Sequence, residues 1–436
     1  MKKCLFVIAI LVGTAAFAQP ADGLTDEFIS HLINSEYRKA VALFDDDCRK
    51  DGKDTAWLKN KHEQLMKAYG KPLMREKVLK SFYGSKHIVI RFLWYGEQSC
   101  KIRFEIKKNK IHDIVFQPEA VTNTYSHPEY VKKHEYISRP VLIRSAKYAL
   151  PGEIVQPAGM EPLAWLVFVH GSGPSDRDES YLGNRTFRDL AVGLAKEGIA
   201  SIRYEKNTYL FAQELSAEKG MTMWDETGRD AVAAFDYLTK HEAGDSSVVA
   251  LLGHSQGAMM IPRICDSINP DAAIMIAGNA RPLQDVMYEQ FTFLYSEDGL
   301  SDSEKRRLNI QEEQIENLEK LKHTQPDSVD FALPYGLPAA YWKYLLEYDQ
   351  TECLKNINVP VLLIQGKGDY QVKMKDFRKF RRALRRSGVH WKALAYEKVN
   401  HLLFENEKEP SKYEYERSEN VEKYIIEDVA DWMKGL

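Results

Sequence analysis

The spacing of hydrophobic residues changes along the chain and divides it into two parts. Over residues 25–71 apolar side chains recur at helical spacing, and the Gly-Lys-Pro of residues 70–72 ends this pattern. Over residues 78–116 apolar and polar residues alternate in runs that are separated by glycine or polar turns, as in antiparallel strands. Helices followed by a strand meander predict a small α+β domain over residues 24–120.

From about residue 135 onward, short and continuously apolar strands alternate with amphipathic helices. Leu166–Val169, Val248–Leu252 and Val361–Gln365 have no polar face, and Phe187–Glu197 is a typical amphipathic helix between two of the strands. Strands without a polar face indicate a parallel sheet that helices cover on both sides. Residues 135–436 are therefore predicted to form an α/β domain.

One long segment interrupts this alternation. Residues 296–330 form a charged helical stretch, and residues 331–348 are rich in aromatic side chains. An insertion of this length between two sheet strands is commonly a functional lid, so we expect a helical cap over about 285–348. The alternative is a peripheral pair of solvated helices.

The amino terminus has the features of an export signal. Lys2 and Lys3 precede an apolar run over 4–12, and Ala16-Phe17-Ala18 stands before Gln19. This order predicts a cleavable signal peptide over residues 1–18 and a bacterial periplasmic or secreted protein. The alternative, a short membrane anchor, needs about 20 apolar residues. No later segment is long and apolar enough, so we expect no stable membrane span after cleavage.

The overall composition excludes several classes of function. The 436 residues carry a formal net charge of −3, far from the basic excess of nucleic-acid-binding proteins. The five cysteines include no C-x-x-C motif and no metal-ligand cluster, so we expect no metal and no cofactor. Cys48 with Cys100 and Cys265 with Cys353 are conceivable disulfide pairs, but spacing alone does not determine the pairing.

A nucleophile motif follows one of the buried strands. Gly253-His254-Ser255-Gln256-Gly257 matches G-x-S-x-G and lies between the strand ending at Leu252 and a helical run. In this context the serine occupies a strained strand-to-helix turn that exposes its hydroxyl. Ser255 is therefore the candidate nucleophile, and the Gln256 backbone amide is a candidate oxyanion donor.

A serine hydroxyl needs a base that is oriented by a carboxylate, expected in the chain order Ser, acid, His. Asp369 and His401 each follow a strand in that order, at the sheet edge where sites of open α/β sheets form. They are the candidate acid and base. Glu397 and Asp376 are less well placed alternatives for the acid.

The segment His170-Gly171-Ser172-Gly173-Pro174 follows another strand. It lacks G-x-G-x-x-G and a P-loop lysine, which argues against phosphate binding. Backbone N–H groups of Gly171 or Ser172 are instead candidate oxyanion donors. We expect His170 and His254 to support the two loops, and the charged run 176–179 to form ion pairs that brace this loop.

At these residues the chain resembles the α/β-hydrolase superfamily, and specifically bacterial secreted carboxylesterases with an N-terminal α+β domain of cystatin-like or nuclear-transport-factor-like kind. The resemblance rests on Leu150-Pro-Gly152, His170–Pro174 with Asp176-Arg-Asp178, Ile202-Arg-Tyr204, the serine motif, Leu337-Pro338 with Tyr341-Trp342, and Gln365–Val372. It implies an α/β-hydrolase fold and the roles of nucleophile, acid and base for Ser255, Asp369 and His401. Where the family often has Asp-Lys-Arg, this chain has Glu205-Lys206-Asn207, so local substrate contacts are expected to differ.

The resulting prediction is a serine hydrolase that cleaves small-molecule carboxylic esters through an acyl-enzyme. Tyr341, Trp342 and Tyr370 are candidate substrate contacts, although aromatic residues of the insertion are equally well explained as ordinary core. A serine peptidase or acyltransferase with the same triad is the alternative, and a binding protein without catalysis is a further one. The sequence predicts no oligomeric state.

Overall fold

The computed structural model describes residues 19–122, 124–145, 147–218, 220–244, 246–297 and 299–436. The predicted signal peptide, residues 1–18, lies outside the described residues. The chain divides into two units, Met1–Glu119 and Ala120–Leu436. None of the helices within the described ranges has the length and hydropathy needed to cross a bilayer.

The first unit places helices before an antiparallel sheet, as the change of hydrophobic period predicts. The helices are α1 Gln19–Ile33, α2 Tyr37–Ala42, α3 Asp46–Lys50 and α4 Thr55–Tyr69. The strands are β1 Pro72–Tyr83, β2 Lys86–Tyr95, β3 Gln98–Lys107 and β4 Lys110–Thr122, and they lie in the order β1-β2-β3-β4. Asp45 and Asp54 begin α3 and α4, because each side chain accepts a hydrogen bond from a backbone N–H of the first turn.

The core of this unit lies between the helices and one face of the sheet. Val89 of β2 pairs with Phe104 of β3, and both are buried together with Phe28 of α1. The rings of Phe28 and Phe104 meet edge to face with their centroids 5.2 Å apart. Alternate residues of the strands therefore provide the apolar face that the period of two predicts.

The second unit is built on a mostly parallel sheet. Its strands are β5 Tyr136–Arg144, β6 Ala149–Pro157, β7 Ala164–Val169, β10 Ile199–Tyr204, β11 Val248–His254, β12 Ala272–Ile276, β13 Val361–Gly366 and β14 Trp391–Tyr396, and a separate short hairpin contains β8 Ser180–Tyr181 and β9 Asn184–Arg185. The strand order is β14-β13-β12-β11-β7-β10-β6-β5, and only β5 and β6 run antiparallel to their neighbours.

Helices connect these strands. They are α5 Thr186–Lys196, α6 Asn207–Leu210, α7 Ala212–Ser216, α8 Arg229–His241, α9 Gln256–Cys265, α10 Leu283–Ser296, α11 Asp302–Lys322, α12 Ala339–Glu347, α13 Gln350–Lys355, α14 Met374–Leu384 and α15 Lys423–Lys434. Every residue of β7 is buried. Leu166 and Phe168 of that strand pack in one cluster with Phe187 of α5 and Ile425 of α15. The prediction of an α/β-hydrolase fold with an additional small α+β unit is confirmed.

Between β12 and β13 the chain passes through helices α10 to α13. Part of this segment has a core of its own, in which Leu318 and Leu321 of α11 pack with Trp342 of α12. The indole N–H of Trp342 donates to the carbonyl oxygen of Pro334 at 3.1 Å. These contacts make α11, α12 and the turn between them one packed body, which we call the cap.

The candidate disulfides are not formed. Cys48, Cys100, Cys265 and Cys353 are free thiols. Burial raises the pKa of Cys48, Cys100 and Cys265 to about 12 in each case. Because the thiolate is the reactive form of cysteine, these three are unreactive core residues.

Candidate active site

The nucleophile candidate lies on a sharp turn between β11 and α9. Ser255 has φ of +54°, a left-handed conformation that is strained for a residue with a side chain. Glycine is required on both sides of it. A Cβ added to Gly257 would lie 2.0 Å from the carbonyl oxygen of Val169, and one added to Gly253 would lie 2.6 Å from the carbonyl carbon of Gly257. The two glycines of the motif therefore allow the strand, the turn and the helix to pack closely.

Asp369 lies just beyond the carboxyl end of β13 and is held by several donors. Its Oδ1 accepts hydrogen bonds from the backbone N–H groups of Gln371 and Val372, at 2.8 and 2.9 Å. Its Oδ2 accepts from the Gln365 side chain at 3.0 Å and lies 2.7 Å from His401 Nδ1. This carboxylate is thus fixed on one side and directed at the histidine on the other.

His401 lies in a tight loop after β14 that Asn400 stabilises. The Asn400 Oδ1 accepts from the backbone N–H of Leu402 at 3.0 Å, and the Asn400 N–H donates to the Phe404 carbonyl at 3.0 Å. Leu403 takes φ of +69° to close the turn. The rings of His401 and His254 have centroids 4.7 Å apart, which places the candidate base beside the serine turn.

The two alternative acids have other partners. Asp376 accepts hydrogen bonds from the backbone N–H groups of Ala280 and Arg281 and from the Arg281 guanidinium. Glu397 is exposed and pairs with Lys367. Neither of them orients His401.

The loop after β7 lies against the serine turn, as predicted. A Cβ added to Gly171 would lie 3.3 Å from the Cβ of Ser255. The N–H of Gly171, however, donates to the Glu179 carboxylate at 2.5 Å, so its predicted role as an oxyanion donor is wrong in this arrangement. The N–H groups of Ser172 and Gln256 meet no acceptor among the described residues. These two groups remain the candidate oxyanion donors.

Glu179 differs from the loop-bracing role that we expect for the charged run 176–179. Asp176, Arg177 and Asp178 do brace the loop. Asp176 accepts from Ser180, Arg177 pairs with Glu205, and Asp178 pairs with Arg203. The carboxylate of Glu179 instead turns inward and lies 2.7 Å from His254 Nδ1. The sequence does not distinguish Glu179 from the other three charged residues of this run, because the direction of each side chain depends on the turn that they form.

A second buried group holds the other side of the same loop. The ammonium of Lys206 donates to the carbonyl oxygens of Gly171 and Gly173, at 2.7 and 3.0 Å, and to Glu226 at 2.6 Å. Glu226 also accepts from the Gly173 N–H at 3.2 Å and from the Tyr341 hydroxyl at 2.6 Å. Burial raises the pKa of Glu226, but the Lys206 charge lowers it overall, so the pair is ionic. Lys206, the residue of this stretch that matches the family pattern, therefore supports the loop after β7.

The candidate substrate contacts have different surroundings. Tyr341 is buried, and its hydroxyl is bonded to Glu226 and lies 3.4 Å from the Gln256 side-chain oxygen. Trp342 is 0% exposed in the cap core, so the predicted substrate contact is wrong for this residue in this arrangement. Tyr370 follows Asp369 and stacks on Phe293 of α10, with ring centroids 4.5 Å apart.

Known proteins are similar to this chain in sequence. Residues 218–426 match the model of the prolyl oligopeptidase family. Esterase EstD of Thermotoga maritima is 34% identical over 359 residues, which are 82% of this chain and 81% of the relative. The chain belongs to the esterase family of EstD.

Solved structures with a similar chain path include two esterases. Est1E from Butyrivibrio proteoclasticus is 15% identical, with a TM-score of 0.43, and the match covers 67% of this chain and 97% of that one. An esterase of Pyrococcus furiosus is 14% identical, with a TM-score of 0.43, over 71% of this chain and 98% of that one. Membership of the EstD family identifies the protein as a carboxylesterase-like hydrolase of the serine hydrolase type.

Proposed function

We propose that the protein hydrolyses small-molecule carboxylic esters through an acyl-enzyme formed on Ser255. His401 removes the proton from the Ser255 hydroxyl as the oxygen attacks the ester carbonyl carbon. The negative charge that develops on the carbonyl oxygen is stabilised by the N–H groups of Ser172 and Gln256. Protonated His401 then gives its proton to the departing alcohol, which leaves an acyl ester on Ser255.

The second half of the reaction uses the same groups. A water molecule gives a proton to His401 and attacks the acyl carbon, and the same N–H groups stabilise the new oxyanion. The tetrahedral intermediate collapses, Ser255 recovers its proton from His401, and the carboxylic acid leaves. Asp369 stays ionised throughout and keeps His401 in the orientation that presents its other ring nitrogen to the serine.

The observation that carries this proposal is the contact between His401 and Asp369. Both are nearly buried, their polar atoms are 2.7 Å apart, and His401 lies beside the turn that bears Ser255. A buried histidine with a carboxylate on Nδ1 has the arrangement of a general base. The esterase relative supports esters as the substrate class.

Hydrolysis of p-nitrophenyl acetate, butyrate and octanoate by the wild type and by Ser255→Ala tests the proposal. We expect turnover in the wild type and loss of at least about 10³-fold in kcat in Ser255→Ala. Ser267→Ala, at an exposed serine just after α9, is the matched control and keeps wild-type kcat. Turnover that persists in Ser255→Ala contradicts the proposal.

The match to the prolyl oligopeptidase family makes a serine peptidase the second candidate. The same triad cleaves amides when the leaving amine is protonated in the transition state. A panel of aminoacyl p-nitroanilides in the same assay separates the two activities. A higher kcat/KM for an anilide than for every ester favours the peptidase, and acyl transfer to an added alcohol that outpaces hydrolysis favours an acyltransferase.

A further inference from the structure

The ring of His254 has an acceptor at each of its nitrogens. Nδ1 lies 2.7 Å from Oε2 of Glu179, and Nε2 lies 2.9 Å from the backbone carbonyl oxygen of His401. A carbonyl oxygen has no proton to give, so Nε2 must carry one. A neutral imidazole has only one N–H, and it is used at Nε2. The bond to Glu179 therefore needs a second proton, shared between Nδ1 and the carboxylate.

The charges around this pair place that second proton on the histidine. Burial alone lowers the pKa of His254, but the Glu179 charge raises it overall. Burial alone raises the pKa of Glu179, but His254 lowers it overall. Glu179 Oε1 is also occupied by the Gly171 N–H, which favours the carboxylate. The result is a buried carboxylate–imidazolium pair whose side chains are 9% and 4% exposed.

Two histidines, one carboxylate and one aromatic ring surround this pair. His170 is the nearest other ring to Glu179, with its Nδ1 at 3.9 Å. Burial lowers the pKa of His170 to about 4, so it is neutral, and its Nε2–H donates to the Tyr204 carbonyl at 2.7 Å. His401 and the charge of Asp369 face the other side of His254. Phe187 of α5 approaches the ring of His254 edge-on.

The pair joins three loops that carry different parts of the proposed machinery. Glu179 holds Gly171, the residue before the Ser172 N–H. His254 precedes Ser255 in the chain. The Nε2–H of His254 holds the backbone of His401. Glu179 itself has φ of +49°, a strained conformation that the side chain of Asp176 maintains by accepting from the N–H of Ser180 at 3.0 Å.

We propose that Glu179 and His254 are positioning residues of the esterase, acting as a buried ion pair that sets two loops relative to Ser255. These are the loop of residues 170–174, which we call the oxyanion loop, and the loop that carries His401, which we call the base loop. This inference rests on the proposed function, because it assigns the loops their catalytic roles. Both residues act through the loops that they hold. A displacement of about 1 Å in such a constellation costs about 10²-fold in rate, so the pair acts on kcat and leaves KM nearly unchanged.

Because the ion pair needs a doubly protonated His254, its effect on kcat depends on pH. The pKa of His254 is raised in the fold, so the imidazolium persists as pH rises past the ordinary histidine value and is lost only above it. Once the ring is neutral, one of its two hydrogen bonds fails, and the base loop or the oxyanion loop is released. We therefore expect kcat to fall on the alkaline side, with the midpoint at the pKa of His254.

Nitrogen NMR of histidine-labelled wild type tests the charge directly and without substrate. At pH 7 the wild type is expected to show a histidine signal with two protonated ring nitrogens that is absent from His254→Gln, which assigns it to His254. Titration of the signal gives the pKa of His254. An unprotonated ring nitrogen on His254 at pH 7 overturns the proposal, as does a midpoint that differs from that of the alkaline fall in kcat.

Two substitutions separate the two hydrogen bonds. In His254→Asn the amide nitrogen replaces Nδ1 and reaches only Glu179, and in His254→Gln it replaces Nε2 and reaches only the His401 carbonyl. We expect each variant, and Glu179→Gln, to lose about 10- to 100-fold in kcat with KM within about twofold. His254→Gln should also lose the alkaline fall. His323→Gln, at an exposed histidine of the insertion, keeps the wild-type profile.

Controls distinguish failure of this inference from failure of the proposed function and from misfolding. Thermal unfolding at pH 7 identifies variants that do not fold, and the NMR arm then decides alone. Ser255→Ala is measured beside each variant. If Ser255→Ala is inactive while the His254 and Glu179 variants keep wild-type kcat, the positioning role is overturned and the proposed function stands. If Ser255→Ala retains turnover, the proposed function itself is overturned.

Discussion

The ammonium nitrogen of Lys206 lies 2.7 Å from the carbonyl oxygen of Gly171, inside the loop that faces Ser255. Lys206 is a fully buried cation whose charge is balanced by Glu226. Glu226 accepts in turn from Tyr341 of α12, so a chain of hydrogen bonds joins the insertion to the loop of residues 170–174. The loop thus has a buried ion pair on each side, Lys206–Glu226 and Glu179–His254.

Lys206→Met is expected to destabilise the protein strongly. The substitution leaves the Glu226 carboxylate buried without its cation, which costs about 3–5 kcal/mol in the free energy of unfolding. It also removes the donor to Gly171 and Gly173, so kcat should fall. Denaturant unfolding and ester kinetics measure the two effects.

The exposed pair of Lys240 and Asp236 provides the control for this change. Lys240→Met should alter the unfolding free energy by less than about 1 kcal/mol, because exposed ion pairs are weak. Lys206→Met combined with Glu226→Gln should be more stable than Lys206→Met alone. Equal effects of Lys206→Met and Lys240→Met would show that the buried pair has no special role.

Asp369→Asn should reduce kcat by about 10⁴-fold with little loss of stability. The amide no longer fixes the tautomer of His401 or stabilises its protonated form. The backbone donors to Oδ1 at Gln371 and Val372 keep an acceptor, so the loop stays folded. Glu397→Gln is the control and should leave ester kinetics unchanged. A larger loss of kcat in Glu397→Gln would transfer the role of the acid to Glu397.

Trp342→Ala should loosen the cap and leave the sheet intact. Removing a fully buried indole from its core creates a cavity that costs about 3–5 kcal/mol. Hydrogen exchange should accelerate in α11 and α12 and stay unchanged in β11 and β13. Ile310→Ala, at an exposed position of α11, is the comparison and should change little. A raised KM without faster exchange would instead make Trp342 a substrate contact.

Local patterns in the sequence were sufficient to indicate the candidate site residues that follow strands. Ser255, Asp369 and His401 each follow a parallel strand in a recognisable order, and carboxyl ends of parallel strands meet at one edge of the sheet. The structure brings Asp369 and His401 together there. The fold class was predictable for the same reason. Alternation of apolar and polar residues, and short continuously apolar runs, are both local properties of the chain.

The supporting residues were not predictable in this way. Glu179 lies in a charged run that was expected to brace its own loop, and Lys206 lies in a stretch that was expected to alter substrate contacts. Both are instead buried in ion pairs with residues distant in the chain. The sequence allowed two interpretations of Trp342, as a substrate contact or as a core residue, because aromatic spacing does not distinguish them. Long-range packing decides such cases, and sequence periodicity does not report it.

Asp230→Asn should change how stability depends on pH. Burial raises the pKa of Asp230 to about 7, although Asn207 and Tyr148 donate to it. Between about pH 4 and pH 7 the folded protein therefore binds this proton more tightly than the unfolded chain does, so Asp230 makes stability fall as pH rises. Asparagine does not titrate and removes this contribution.

The measurement is denaturant unfolding of both proteins at pH 5 and at pH 7. The stability of Asp230→Asn relative to wild type should increase from pH 5 to pH 7. Asp236→Asn, at a more exposed aspartate of α8, should show a constant difference between the two pH values. A constant difference for Asp230→Asn as well would mean that Asp230 is already ionised at pH 5.

Rapid-quench mass spectrometry with p-nitrophenyl butyrate detects the proposed acyl-enzyme on Ser255. We expect a butyryl adduct on the peptide that contains Ser255, formed during the first turnover, lost as substrate is exhausted, and absent from Ser255→Ala. Turnover of the ester by wild type with the adduct on a different residue, or with no adduct under conditions where deacylation is rate-limiting, would contradict it.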